Sequence, residues 1–228
     1  MKTKLLITAL AVSTLGLAVA GAASGAFVAI YRNALETTAQ RSEVLKLSGK
    51  DCARGGGQTT LNVTVGKLTE ECAYRTPVVG SDLEIAATGS INPATPPKVA
   101  KKAFLGLQLR AGGGGKLELR VFPGQKKAQI ARVTEAGIDF LAVKKNLVSL
   151  KLAKAVVLRL RVVSGAGEAA GTCKIGGYLA GELVVEAEDP ACGELKGEST
   201  ALSAGAPNNG VGVVAGFAAI VVRTPVRF

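Results

Sequence analysis

The chain has no histidine and no tryptophan, and its single methionine is the initiator, Met1. Histidine is the commonest general base and a leading zinc and copper ligand. Its absence argues against serine-triad, cysteine–histidine and zinc-hydrolase chemistry. Aromatic residues make up only 4% of the 228 residues, so stacking platforms for bases or sugar rings are scarce. Val, Leu and Ala are left to fill the core. Acidic residues are nearly missing from one stretch. Between Lys98 and Arg161 fifteen Lys and Arg face only Glu118, Glu135 and Asp139, and this stretch carries most of the formal charge of +11. A basic surface attracts polyanions, anionic headgroups and acidic polymers. The plainer reading is a solvated, solubilising surface.

Charge is also missing from Leu5 to Tyr31, a run of Leu, Ala, Val, Gly and Ile behind Lys2 and Lys4. It exceeds the roughly 20 residues that span a bilayer, and the two lysines favour a cytoplasmic N-terminus. A cleaved signal peptide is one reading, with small residues at Ala18-Val19-Ala20 or Ala23-Ser24-Gly25. An uncleaved signal-anchor is the other. It is favoured because Phe27-Val28-Ala29-Ile30-Tyr31 carries the run past each small-residue site. Either reading exports the rest of the chain. The expected organisation is a transmembrane segment over 1–31, a stalk and loop over 32–58, and an ectodomain over 59–228. The expected location is a single-pass cell-membrane protein, or a secreted one after cleavage.

The four cysteines fit export. None forms a Cys-x-x-Cys pair, and four in an exported chain read as disulfides. Three connectivities are open. The near-equal local spacing favours Cys52 with Cys72 and Cys173 with Cys192, each closing a loop worth about 3 kcal/mol.

After the stalk, strand patterns dominate. Leu61, Val63 and Val65 alternate, as do Leu83, Ile85 and Ala87, then Leu117, Leu119 and Val121, then Leu158, Leu160 and Val162. Further strands are expected over 104–109, 126–133, 179–188, 195–203 and 211–222. Gly112–Gly115 and Pro123-Gly124 read as turns. The glycine run lacks the Gly-Lys-Ser/Thr ending of a phosphate loop. Ten or more short strands with Gly and Pro turns predict an antiparallel all-β sandwich or barrel.

The order of strand types resembles the concanavalin A-like jelly rolls of lectins, laminin-G-like modules and glucanases. It rests on Asp82-Leu83-Glu84-Ile85, Gly106–Arg110, the Lys116–Arg132 hairpin, Val156–Val163, Gly181–Asp189 and the closing strand Val213–Val222. The resemblance implies a jelly-roll sandwich. Such modules often bind calcium and sugars, but no matching carboxylate or aromatic cluster is visible here. Glucanases of this fold carry Glu-x-Asp-x-x-Glu on one strand. The nearest stretch, Glu182–Asp189, places Glu186 and Glu188 on one face at a different spacing and reads as a charged edge strand.

The stronger lead is basic. Arg110, Lys116, Arg120, Arg159 and Arg161 take outward positions of three strands, while Leu109, Leu117, Leu119, Leu158 and Leu160 alternate inward. Were the strands neighbours, the five would form one face rimmed by Lys126 and Lys127 and suited to carboxylate or phosphate. The polar side of a half-exposed sheet is the competing explanation. The expected function is an extracytoplasmic binding or structural module of the cell envelope, recognising an anionic glycan or polymer. A carbohydrate-active enzyme and a protein-interaction ectodomain are the alternatives. No cofactor, metal or nucleic-acid partner is expected. Intact mass of the exported chain separates the two leader readings: an N-terminus between Ala20 and Ala26 rules out the anchor, and one at Met1 supports it.

Overall fold

The structure is a computed structural model that describes residues 26–56, 60–66, 70–165, 170–207 and 212–226. In chain order the strands are β1 (Phe27–Asn33), β2 (Leu45–Ser48), β3 (Cys52–Gly56), β4 (Leu61–Val65), β5 (Glu71–Val79), β6 (Glu84–Ile91), β7 (Phe104–Gly112) and β8 (Gly115–Phe122). They continue as β9 (Lys127–Thr134), β10 (Gly137–Lys144), β11 (Val156–Ser164), β12 (Cys173–Leu179), β13 (Glu182–Asp189), β14 (Ser199–Gly205) and β15 (Val214–Pro225). Two one-turn helices, α1 (Thr38–Ser42) and α2 (Pro97–Ala100), complete the set.

The strands form two antiparallel sheets. The first runs β13-β12-β11-β6-β15-β4-β3, with β1 paired to the C-terminal half of β15. The second runs β10-β9-β8-β7-β14-β5-β2. Period-two alternation sets which side chains meet between them. Leu158, Leu160 and Val162 of β11 and Ile85 and Ala87 of β6 pack against Leu105, Leu107 and Leu109 of β7 and Leu117, Leu119 and Val121 of β8. All of these inward residues are essentially inaccessible to solvent. Two arginines tie the sheets together. Arg132 of β9 reaches Asp189 at the end of β13, 3.0 Å away. Arg110 reaches the Cys192 carbonyl (2.9 Å) and Ser164 Oγ (2.6 Å).

The structure overturns two boundary expectations. Phe27–Tyr31 is not the end of a membrane helix but strand β1, hydrogen-bonded along β15. Its apolar alternation serves the sandwich: Tyr31 packs on the core. Residues 1–25 of the expected span lie outside the described residues, and no helix among the described residues is long and apolar enough to cross a membrane. The described part of the expected stalk and loop, 32–56, is likewise no stalk. It supplies part of β1, helix α1 with its Thr37/Gln40 capping box, and the edge strands β2 and β3. The expected strand over 179–188 is two strands, with Leu179 ending β12 and a turn at Ala180-Gly181.

Both disulfides pair as expected. Cys52 on β3 joins Cys72 on β5, a bridge between the two sheets with Cα atoms 5.8 Å apart. Cys173 on β12 joins Cys192, just past β13, at 5.9 Å. Replacing Cys52 and Cys72 together with Ser should lower unfolding free energy by about 3 kcal/mol in urea titration, the entropy of the reopened loop. A loss below about 1 kcal/mol would show that the bridge adds little to the inter-sheet packing.

Candidate functional site

The site begins with the alternation in β8. Leu117, Leu119 and Val121 face the core, so Lys116, Glu118 and Arg120 face out from the second sheet. Outward charges on a sheet ordinarily stand in water, yet Glu118 is 0% and Arg120 7% exposed. Burying them demands partners for every charge. Arg120 Nε donates to Glu118 Oε2 at 2.7 Å and its Nη2 to Glu71 Oε2 at 3.0 Å. Lys116 Nζ lies 2.5 Å from Glu71 Oε1 and 3.6 Å from Glu118 Oε2. Ser203 Oγ (2.6 Å) and Gln108 Nε2 (3.0 Å) donate to Glu118 Oε1, and Gln108 Nε2 also donates to Glu71. Strands β5, β7, β8 and β14 thus converge on one knot of two carboxylates and two cations. Gly106 on β7 makes it possible, because a Cβ there would overlap Ser203 Oγ and crowd Glu118.

The two carboxylates titrate in opposite directions. Burial works against the Glu118 charge, but Lys116, Arg120 and the bonds from Ser203 and Gln108 outweigh it and hold its pKa at about 2. Glu71 is pushed above the usual carboxylate range by burial and then by the charge of Glu118, with Lys116 and Arg120 opposing.

Beside the knot a groove of about 660 Å³ opens on the same face. The guanidinium of Arg120 sits 4.8 Å above the buried Phe104 ring, and the Lys127 ammonium 4.1 Å above the buried Phe122 ring. The floor therefore shows cations on top of rings. One wall is β10, where Ile138, Phe140 and Val143 are 44%, 58% and 48% exposed. Lys145 stands at the rim. Burial, and after it the charges of Lys145 and Arg120, lower the pKa of Lys127. Among the described residues neither Lys127 nor Lys145 has an acidic partner. A second groove, about 310 Å³, lies across the knot against the Gly112–Gly115 turn and is lined by Gln108, Lys116 and Glu135. The buried Gln108 Oε1 has no hydrogen-bond partner.

The structure does not assemble the five expected basic residues into one face. Arg110, Lys116 and Arg120 belong to the second sheet, Arg159 and Arg161 to the first. Arg110 leaves even its own sheet's outer face. Its backbone turns left-handed (φ 53°) at a bulge in β7, which swings the side chain to the end of the sandwich. Arg159 and Arg161 gather around Glu84 instead. Lys126 is exposed, and only Lys127 of the expected rim lines the groove. Glu186 and Glu188 point outward from the edge strand β13 of the other sheet, away from both grooves, with Lys174 3.8 Å from Glu188. Sequence reasoning did not reach Glu71, Gln108, Ser203, Phe140 or Lys145. Cys72, Tyr74 and Thr76 do alternate around Arg75, but Pro77 disguises β5 as a loop.

No protein-family model and no curated protein sequence matches the chain. Solved structures do. A Bacillus subtilis protein of unknown function with a galectin-like fold superposes with a TM-score of 0.63 at 12% identity, covering 89% of this chain and all of that one. A laminarinase from Rhodothermus marinus gives 0.59 at 7%, covering 90% and 100%. The carbohydrate-binding module CBM66 of B. subtilis gives 0.57 at 14%, covering 80% and 96%. The fold is thus a two-sheet antiparallel jelly-roll sandwich similar to those of these proteins.

Glu118 supplies a pH test. Its folded pKa, about 2, lies below the ordinary 4.5, so its stabilisation is full above the ordinary value and is lost as pH falls through about 2. The shift amounts to roughly 3 kcal/mol at neutral pH. Glu118→Gln should destabilise by that order at pH 7 and should flatten the loss of stability between pH 5 and pH 2. A variant as acid-sensitive as the parent would place the titration elsewhere.

Proposed function

We propose that the domain is an exported glycan-binding module of the cell envelope that takes an anionic saccharide in the groove over Arg120 and Lys127. One observation carries the reading. Lys127 and Lys145 face the groove with no acidic partner among the described residues, whereas Glu71 and Glu118 beside it are held by Lys116 and Arg120, and Glu70 is the other acid of the lining. The open cations suit the carboxylate, sulfate or phosphate of an acidic sugar. The exposed Phe140 edge offers a ring face for sugar C–H groups. The folds of carbohydrate-binding modules and laminarinases are compatible with such a site, and the two disulfides fit export. With Phe27–Tyr31 drawn into β1, the apolar run that remains, Leu5–Ala26, still has the length of a membrane span. It would hold the module at the envelope.

A second reading has its own support. A carboxyl with a raised pKa beside an ionised one is the pairing that glycoside hydrolysis uses. In that case the groove would be an active site. The two readings separate in one experiment. Calorimetric titration with polyuronate oligosaccharides and with neutral β-glucan oligosaccharides should show binding of the acidic series, weakened by salt. Lys127→Ala with Lys145→Ala should weaken it at least about tenfold, the loss of one charge-assisted bond, at unchanged melting temperature. Chromatography of the same mixtures should show no chain shortening. Neutral glucans bound as tightly, or cleavage that Glu71→Gln abolishes, would overturn the binding-module reading.

A further inference from the structure

The outer face of the first sheet carries a second cationic surface, built from other residues. Cross-strand register aligns Arg161 of β11 with Glu84 of β6, and Glu84 with Arg223 of β15. Glu84 is buried. Arg161 Nε and Nη2 hold its Oε2 at 2.9 and 2.8 Å, and Arg223 Nη1 holds its Oε1 at 2.6 Å. Those two arginines satisfy both oxygens. Arg159 lies farther off, at 3.7 Å, and stacks on Tyr178 with its guanidinium 4.0 Å from the ring. Arg32 of β1 lies opposite Val221 on the same face. It is exposed and has no partner among the described residues. Three arginines thus surround one carboxylate, and Arg32 stands two strands away on the same face. The neighbouring acids, Glu186 and Glu188, stand two strands away on the edge strand β13, with Gly176 between Glu186 and Arg161.

This face is also apolar in a pattern. One row across the sheet reads Leu183, Tyr178, Arg159, Ala86, Val221, Arg32. Leu183 is 50% exposed, and Val157, next to Arg159 along the same side of β11, is 46% exposed. Exposed aliphatics, a tyrosine ring and arginines mixed on one surface match the chemistry of the headgroup layer, where apolar bodies sink and guanidinium groups meet phosphates. A soluble polyanion would leave Leu183 and Val157 uncovered. The chain itself gives the direction. Residues 1–25, which hold most of the apolar run, lie outside the described residues and join at Ala26, directly before Phe27. The Phe27 ring lies 4.3 Å from the Arg161 guanidinium, so the described chain begins at the margin of this face.

We propose that the outer face of the first sheet, centred on Arg32, Arg159 and Arg223, docks on an anionic phospholipid surface. The opposite sheet, with its groove, then points away from the bilayer. The surface is independent of the saccharide groove, and the two can fail separately.

Every strand of both sheets begins at or after Phe27, so a chain starting at Ala26 retains the whole sandwich without the apolar run. Its folding is checked by melting temperature. Co-sedimentation is measured with phosphatidylcholine vesicles and with vesicles in which a third of the lipid is phosphatidylglycerol. Binding to the anionic vesicles only is expected, at least tenfold weaker in 0.5 M salt. Arg32→Ser with Arg159→Ser leaves Arg161 and Arg223 on Glu84, so it should fold as the parent does and lose at least tenfold in vesicle affinity. Lys127→Ala with Lys145→Ala should leave vesicle binding unchanged. The proposal is overturned by equal binding to both vesicle types or to neither. It is also overturned by an Arg32/Arg159 variant that binds like the parent, or by a soluble polyuronate that needs the same two arginines while vesicles do not.

Discussion

Four charges placed where a sheet has no water to spare shape the functional face of this domain. Isolated, a buried Glu118 would not stay ionised. It does so here because Arg120 and Lys116 flank it on its own strand and because β7 and β14 bring Gln108 and Ser203 to it. The close approach of Ser203 over Gly106 is part of the same requirement. So is the arrival of Glu71 from β5, which gives the second carboxylate for two cations. Once Arg120 is fixed in that knot, its guanidinium covers Phe104, and Lys127 covers Phe122 alongside. The floor of the groove follows from the knot.

The same device recurs on the other sheet. Glu84 is buried between Arg161 and Arg223, as Glu118 is between Lys116 and Arg120. Asp189 receives Arg132 across the sandwich. Glu118, Glu71 and Glu84 each organise more than one cation, whereas Asp189 takes only Arg132, which Asp139 shares. That is how a chain of net charge +11 keeps arginines close together without an acid for each. The repulsion is absorbed locally by a buried carboxylate, and the outermost members, Lys127 and Lys145 on one side and Arg32 on the other, have no acidic partner among the described residues.

How much of this could be read in advance depended on whether periodicity survived locally. The sandwich, the inward leucines of β7, β8 and β11, and the disulfide partners follow from alternation and spacing. Strand β1 was hidden because its apolar residues run on from the uncharged stretch before them without a break. Strand β5 was hidden by Pro77, and with it Glu71, half of the charge knot. Parity placed Lys116 and Arg120 on the correct side of β8, but it cannot say which strands are neighbours. Arg159 and Arg161 consequently went to the other sheet. Arg110 obeys parity until a left-handed backbone at a bulge turns it away, a local event that no count of alternate positions contains. The closeness of Ser203 to Glu118 is long-range pairing, with the two residues 85 positions apart.

The central claim is that Glu71 and Glu118 are consumed in holding Lys116 and Arg120, which leaves Lys127 and Lys145 available in a groove whose other acid is the exposed Glu70. Carbon-13 NMR titration of the glutamate side-chain carboxyls, assigned with Glu71→Gln and Glu118→Gln, reads this directly. The expected result is Glu118 ionised down to about pH 2, Glu71 titrating above the ordinary carboxylate range, and neither signal moving when an acidic oligosaccharide fills the groove. Glu118 titrating like a free glutamate, or Glu71 changing its protonation on saccharide binding, would contradict it and mark the pair as reacting groups.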